Sequence, residues 1–244
     1  MKWFSSQKKH ITDYASLKVD FHNHLIPGVD DGVQTLAQAM EMLRRFSELG
    51  YRKVITTPHI NSDVFDNDEA QTRSGLATVQ QAIREEGLNI ELEAGAEYYI
   101  NMDFLEKARQ KPLLKFGQKG YILIETSFHT PPTALETIVF ELQSLNYELI
   151  LAHPERYPYW YKQLGQYETL INRNVHLQIN LPSLAGFYGI KAQRVAETLL
   201  KKGWVDFAGT DAHTMLHLDA AQKALKNKHL QQALEAGRFK NPLL

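Results

Sequence analysis

Short β-branched and aliphatic runs alternate with longer stretches of helical period along almost the whole chain. Runs at 18–22, 53–57, 90–98, 121–125, 148–153, 175–180 and 205–210 have the length and residue types of buried strands. Between them, 35–49, 70–86, 101–109, 133–145, 161–171 and 192–202 carry apolar residues at helical spacing, and two shorter helical stretches, 218–225 and 230–235, close the chain. The punctuation agrees. Gly50 and Gly87 follow the first two helices, Pro58 and Pro154 stop two of the strands, and Pro131-Pro132 precede the fourth helix. Seven strand–helix units with no flexible linker and no internal repeat predict an α/β fold, one closed or nearly closed parallel barrel over residues 18–244. Residues 1–17 read as an N-terminal arm, loosely held as chain ends often are.

Composition narrows the picture. At 244 residues with 43% hydrophobic content, the chain suits a single barrel with a sizeable core. A net charge of −1, from 27 basic and 28 acidic residues, gives no global field for nucleic acid or a membrane surface. Apolar stretches such as 149–152 are far too short to span a bilayer, and no signal-peptide run follows the basic start. The expectation is a cytoplasmic protein without membrane insertion or a nucleic-acid partner. Cysteine is absent, which excludes disulfides, thiolate metal sites and a cysteinyl-phosphate route to phosphate ester cleavage.

The candidate chemistry sits at the ends of the expected strands. Five of the ten histidines and four carboxylates fall there: His22, His24, Asp31, His59, Glu97, Glu125, His153, Asp211 and His213. A His-x-His opens the set and an Asp-x-His closes it, and residues two apart on a strand share a face. Parallel barrels carry their chemistry at the C-terminal ends of their strands. Imidazole with carboxylate and no thiolate suits Mn²⁺, Fe or Zn²⁺ held for catalysis. Any one of these histidines alone would read as a capped or surface residue, and His10, His129, His176 and His229 are assigned so; the nine stand out only as a set.

The segment Asp20-Phe21-His22-Asn23-His24-Leu25-Ile26-Pro27-Gly28-Val29-Asp30-Asp31-Gly32 resembles the first motif of the PHP (polymerase and histidinol phosphatase) family. The likeness continues through Thr56-Thr57-Pro58-His59, Ala94-Gly95-Ala96-Glu97-Tyr98-Tyr99, Leu123-Ile124-Glu125, Leu151-Ala152-His153-Pro154-Glu155-Arg156-Tyr157 and Gly209-Thr210-Asp211-Ala212-His213. Within that family the chain is most similar to the bacterial capsule-type protein-tyrosine phosphatases, the CpsB/CapC/YwqE group. The resemblance implies a distorted (β/α)7 TIM-like barrel holding three divalent metal ions, most often Mn²⁺, with iron or zinc as alternatives. His22, His24, Glu97 and Asp211 would hold the first ion. Glu97 would bridge to a second, also bound by Glu125 and His153, and Asp31, His59 and His213 would take the third. Asp211 is counted with the catalytic residues, and Arg156 matches the family's active-site arginine, suited to a bidentate phosphoryl contact.

Three divalent ions would outweigh the four carboxylates, so the site would attract a phosphate dianion and acidify bound water. In-line attack of the resulting hydroxide on phosphorus is the expected mechanism, with phosphotyrosine protein as substrate. The resemblance points to the tail of a bacterial tyrosine autokinase that regulates capsule or exopolysaccharide synthesis. Aromatics at Tyr159 and Tyr188 are candidates to flank the phosphotyrosine ring. Asp31 rather than Asp30 takes the ligand role, Asp30 being read as a turn or cap residue. Glu155 reads equally well as a partner of the site and as a solvated charge. One departure stands out: streptococcal-type members tend to carry an arginine shortly after the closing Asp-x-His, whereas Thr214-Met215-Leu216-His217-Leu218-Asp219 has none, with His217 as a candidate substitute. The competing readings are a small-molecule phosphatase acting on histidinol phosphate and a regulator that binds phosphotyrosine without cleaving it. A deacylase of the amidohydrolase type is disfavoured, because its bridging position often holds lysine where this chain offers Glu97.

Overall fold

The computed structural model describes residues 10–61, 63–65 and 67–244. In chain order its elements are β1 (Val19–Asp20), α1 (Leu36–Glu48), β2 (Lys53–Thr56), β3 (His59–Ile60), α2 (Glu69–Glu86), β4 (Glu91–Ala94), β5 (Glu97–Tyr99), α3 (Met102–Gln110) and β6 (Tyr121–Glu125). They continue with α4 (Leu135–Ser144), β7 (Glu148–Ala152), α5 (Leu164–Asn172), β8 (His176–Asn180), α6 (Leu181–Leu184), α7 (Ile190–Lys202), β9 (Phe207–Gly209), α8 (Met215–Ala224) and α9 (Lys228–Glu235). Thr35 and Asp68 cap α1 and α2 with reciprocal bonds to Gln38 and Gln71, and Asn101 and Asn227 cap α3 and α9.

Every strand pairing is parallel, but the hydrogen bonds draw two open sheets rather than the single closed one expected: β1-β2-β4 and β3-β5-β6-β7-β8-β9. The division falls where two expected strands are each interrupted. Pro58 has no N–H to give to the ladder, so β2 ends at Thr56 and pairing resumes at His59. The expected strand over 90–98 also breaks, at Gly95-Ala96 opposite Thr57-Pro58, although Gly95 N–H still donates to Thr56 O at 2.8 Å. The break sets the register that matters for the site. His59 pairs with Glu97, Glu97 with Leu123, and Tyr99 with Glu125.

Buried apolar side chains form two clusters. The larger packs the helices onto the outer faces of the sheets, and β6 and β7, buried on both faces, read as nearly continuous apolar runs, whereas β8 alternates Leu177 and Ile179 with polar residues. The smaller gathers Val19, Phe21, Ile55, Leu123, Ile150 and Phe207, so side chains of β1, β2, β6, β7 and β9 meet between the strands. β1 and β9 share no ladder. Side chains and a single bridge stitch them together instead. Asn23 pairs with Ala212, Asp20 accepts from the Thr210 N–H and hydroxyl at 2.9 and 3.1 Å, and the Asn241 amide spans both strands. Its Nδ2 donates to Val19 O at 2.9 Å and to Ala208 O at 2.7 Å, and its Oδ1 accepts from Ala208 N at 3.1 Å.

Residues 1–9 of the expected arm lie outside the described residues. The remainder is docked. Tyr14 is buried with its hydroxyl donating to Ala221 O at 2.6 Å, and Ile11 exchanges hydrogen bonds with the Gln231 side chain. No helix among the described residues is long and apolar enough to cross a membrane.

Two expected outcomes follow from the seam. Asn241→Ala leaves several buried backbone groups unpaired and should lower stability by about 3 kcal/mol, read as the shift of a urea midpoint. Nearby, Asp206 accepts from His176 Nδ1 at 2.5 Å and pairs with Lys240 at 2.7 Å. Burial alone would raise its carboxyl, but these two partners hold it below its ordinary 3.8. A depressed carboxyl stabilises the fold above its unfolded pKa and loses that contribution as pH falls through the folded one. Asp206→Asn should therefore be less stable than the parent at pH 7, the difference closing as pH falls below 3.8 and through the depressed folded value; a gap that persists in acid would show that packing, not charge, is at work.

Candidate metal centre

The strand register and the turns that follow the strands bring all nine candidate residues to one place. His22 and His24 leave the end of β1, His59 opens β3 beside Glu97 of β5, Glu125 ends β6, His153 follows β7, and Asp211 and His213 follow β9. Potential ligand atoms converge in three groups: His22, His24, Glu97 and Asp211; His24, Asp31, His59 and His213; and His59, Glu97 and Glu125. His22 Nε2 lies 3.1 Å from Glu97 Oε2 and 3.3 Å from Asp211 Oδ1, and His24 Nε2 lies 3.6 and 3.4 Å from the same atoms. His153 Nε2 approaches Glu97 Oε1 at 3.1 Å and Glu125 Oε2 at 3.9 Å. His59 faces both ways, with Nδ1 3.2 Å from Glu97 and 3.0 Å from Glu125, and Nε2 3.6 Å from Asp31. Asp31, 60% exposed, also reaches His213 Nε2 at 3.3 Å.

Four of the atoms that would bind a cation are left without hydrogen bonds. His22 Nε2, His24 Nε2, His59 Nδ1 and Glu97 Oε2 are buried and lack partners of good geometry among the described residues. The opposite ring atoms are tied down. His22 Nδ1 donates to Gln178 Oε1 at 2.8 Å, His24 Nδ1 to Asp30 Oδ2 at 2.7 Å, and His213 Nδ1 to the Asp211 carbonyl at 3.0 Å. An imidazole that gives its proton to such a partner offers the lone pair of its other nitrogen, the usual arrangement of a metal-binding histidine. The donor set and its orphaned atoms fit divalent cations.

Charge tells the same story. Burial alone would push His22 down, yet Glu97 and Asp211 bring it up to about 9. Burial would likewise raise Glu97 and Asp211, and the imidazoles around them hold both well below the carboxylate range. Protons on the histidines thus balance the carboxylates where cations otherwise would, so cation uptake must release protons.

Arg156 lies against this cluster, 23% exposed, with Nη1 donating to Asp211 Oδ2 at 2.6 Å. Its guanidinium carbon sits 4.1 Å from the Tyr188 ring centre and 4.6 Å from that of Phe128, both within cation–π range. Tyr188 is therefore beside the site, with its hydroxyl buried and without a hydrogen-bond partner among the described residues. Tyr159 is one ring further out, stacked on Tyr157 at 5.7 Å with its hydroxyl on Ser127 O at 2.7 Å. His217 stands 5.5 Å from the His213 ring and accepts from or donates to Thr214 Oγ1 at 3.1 Å. Burial pushes it down to about 4, so it is neutral near pH 7 and supplies none of the charge of the missing arginine.

Several supporting residues were not singled out from the sequence. Gln178 and Asn180 share one face of β8; Gln178 orients His22, and Asn180 Nδ2 donates to Asp211 Oδ2 at 2.7 Å. Gly209 leaves room for them, since a Cβ there would lie 2.8 Å from His22 Cβ. Glu155 is fully buried rather than solvated, accepting from Asn180 N at 2.9 Å and Ser183 Oγ at 2.6 Å.

Residues 18–243 match the model of the family described as capsular polysaccharide synthesis, CpsB/CapC. The chain belongs to that family. It is 29% identical over 216 residues to the tyrosine-protein phosphatase YwqE of Bacillus subtilis, covering 88% of this chain and 82% of that one. It is 27% identical to the putative tyrosine-protein phosphatase CapC of Staphylococcus aureus, with 86% and 82% covered, and 26% identical to CpsB of Streptococcus pneumoniae, with 81% and 83% covered. A chain from the crystal structures of YwqE and CpsB, there described as unique metal-dependent tyrosine phosphatases, superposes with a TM-score of 0.79 at 28% identity, covering 89% of this chain and 91% of that one. A histidinol phosphate phosphatase from Lactococcus lactis, solved with zinc, L-histidinol and phosphate, reaches a TM-score of 0.51 at 16% identity, with 86% and 92% covered, a likeness of fold.

Proposed function

We propose that this protein is a metal-dependent phosphatase that hydrolyses phosphotyrosine on proteins. The observation that carries the reading is the convergence of buried, orphaned imidazole and carboxylate atoms against Arg156 in a chain of the CpsB/CapC family. His22, His24, Glu97 and Asp211 would hold one ion; Glu97, Glu125 and His153, with His59 Nδ1 close by, a second; Asp31, His59 and His213 a third. The thiolate-free imidazole and carboxylate donors suit Mn²⁺, iron or zinc, and the resemblance to manganese-dependent relatives favours Mn²⁺ among them. Once bound, such cations supply positive charge to the phosphoryl oxygens and lower the pKa of water toward neutrality. We also read the two sheets as one distorted (β/α)7 barrel, because β1 and β9 are stitched together and five strands share an inner cluster.

The chain's own residues then divide the work. Arg156 gives only Nη1 to Asp211 among the described residues, which leaves its other N–H groups to meet a phosphoryl group while the Phe128 and Tyr188 rings pack on the guanidinium. Tyr188 is better placed than Tyr159 to face a phosphotyrosine ring. Phenolate, with a pKa near 10, leaves readily, and no residue is needed as a dedicated acid. A cleft of about 360 Å³ lined by Tyr99, Asn101, Met102, Thr126, Ser127 and Pro131 flanks the ends of β5 and β6 and gives a polypeptide room beside Glu125. The family's link to capsular polysaccharide synthesis favours a cytoplasmic tyrosine autokinase tail as the physiological substrate.

Phosphate release by the manganese-loaded protein tests the reading, with a phosphotyrosine peptide, a phosphoserine peptide and histidinol phosphate compared. Preference for phosphotyrosine, lost on chelation, is expected. Preference for histidinol phosphate would make the protein a small-molecule phosphatase, and stoichiometric phosphopeptide binding without release would make it a regulator. Asp211→Asn should abolish turnover with the fold retained. Arg156→Lys should cost about 10- to 100-fold in kcat/KM, the worth of a charged hydrogen bond; undiminished turnover in either variant would overturn the assignment.

A further inference from the structure

Adjacent carboxylates in the Asp30-Asp31-Gly32 turn face opposite ways. Asp31 points outward to His59 and His213. Asp30 is buried and belongs to none of the three ligand groups. Its Oδ2 accepts from His24 Nδ1 at 2.7 Å and from the His59 backbone N–H at 2.9 Å, while its Oδ1 accepts from Gly32 N at 2.9 Å. Gly32 permits the approach, because a Cβ there would lie 2.4 Å from both the Cβ and the carbonyl oxygen of His24. Gln34 Nε2 holds the turn by donating to the carbonyls of Asp30 and Gly32 at 3.0 and 2.9 Å.

One oxygen therefore acts on two histidines. For His24 the effect is on the ring: Nδ1 donates to Asp30, which leaves Nε2, facing Glu97 and Asp211, as the nitrogen that would meet a cation. For His59 it is positional, fixing the backbone of a ring that stands between Glu125 on one side and Asp31 on the other. We propose that Asp30 is a positioning residue that holds the histidines of two neighbouring metal positions through a single carboxylate oxygen, so that cation binding at both depends on it. The inference rests on the metal-site reading above. Gln178 supplies an internal contrast, since it orients His22 alone among the candidate ligands.

The experiment titrates Mn²⁺ into the whole protein and follows the free ion by electron paramagnetic resonance, in the parent chain, Asp30→Asn and Gln178→Ala. Loss of such an outer partner weakens metal affinity about 10- to 100-fold. Asp30→Asn should weaken two binding steps by that factor and Gln178→Ala one. Thermal melts with and without Mn²⁺ separate positioning from plain structural support. A structural role would lower the metal-free melting temperature and leave the metal-induced rise intact, whereas a positioning role shrinks the rise. If Asp30→Asn does not fold, Asp30→Ser is read by the same two measurements. Unchanged affinity, or weakening confined to one step, overturns the inference while the metal reading stands. A parent chain that binds no divalent cation overturns both.

Discussion

Glu97 is fully buried, and three imidazole nitrogens surround its Oε2: His22 Nε2 at 3.1 Å, His59 Nδ1 at 3.2 Å and His24 Nε2 at 3.6 Å. A carboxylate in that setting stays ionised only if positive charge meets it, because burial by itself favours the protonated acid. The raised pKa values of His22 and His59 show the carboxylate drawing positive charge onto its neighbours in the chain alone, and divalent cations would provide it in the loaded protein. The same constraint applies to Asp211, whose two oxygens divide between imidazoles and Arg156. Most of the local architecture can be understood as the means of holding these two carboxylates inside without letting them neutralise.

Backbone geometry shows what this arrangement requires. Asp211 and His153 both adopt left-handed conformations, with φ of 51° and 36°. Such conformations cost roughly 1–3 kcal/mol each and persist only where the surroundings impose them. Asp211 is held by its N–H on His22 O at 2.7 Å and by Asn180 and Arg156 on its carboxylate. The His153 carbonyl accepts from Arg156 N at 2.8 Å, and that bond starts the tight turn carrying the arginine back over the cluster. Each strained residue thus directs a side chain into the site and is clamped by another member of it.

The candidate ligands were legible because histidine and carboxylate at strand ends form a pattern that core packing does not produce. Their holders were less legible, for reasons that differ residue by residue. Asp30 and Asp31 are chemically identical neighbours, and only the turn decides which faces inward. Gln178 and Asn180 did leave a trace, two amides at alternate positions of an otherwise buried strand, which must find partners on its inner face. Glu155 beside an arginine reads as well as a solvated charge as a partner of the site, and only the fold, by burying it, decides between them. The fold shows the same division. Strand and helix positions followed from periodicity, and Pro58 correctly ended a strand. Resumed pairing at His59, and a seam closed by Asn241 across 222 residues of sequence, depend on contacts that no local pattern encodes.

Asp211 links the two halves of the chemistry. Its Oδ1 faces His22 and His24, and its Oδ2 accepts from Arg156 and Asn180. In the chain alone, the carboxylate's charge is shared between imidazolium and guanidinium, so Arg156 is largely neutralised by its own partner. Positive charge gathered at Oδ1 draws on the same carboxylate and leaves the guanidinium more of its own field for an incoming phosphoryl group. Phe128 and Tyr188 contact Arg156 while that balance shifts, because their ring contacts do not depend on the ion pair. The side chain that would anchor a cation and the one that would read phosphate are therefore coupled through a single buried carboxylate.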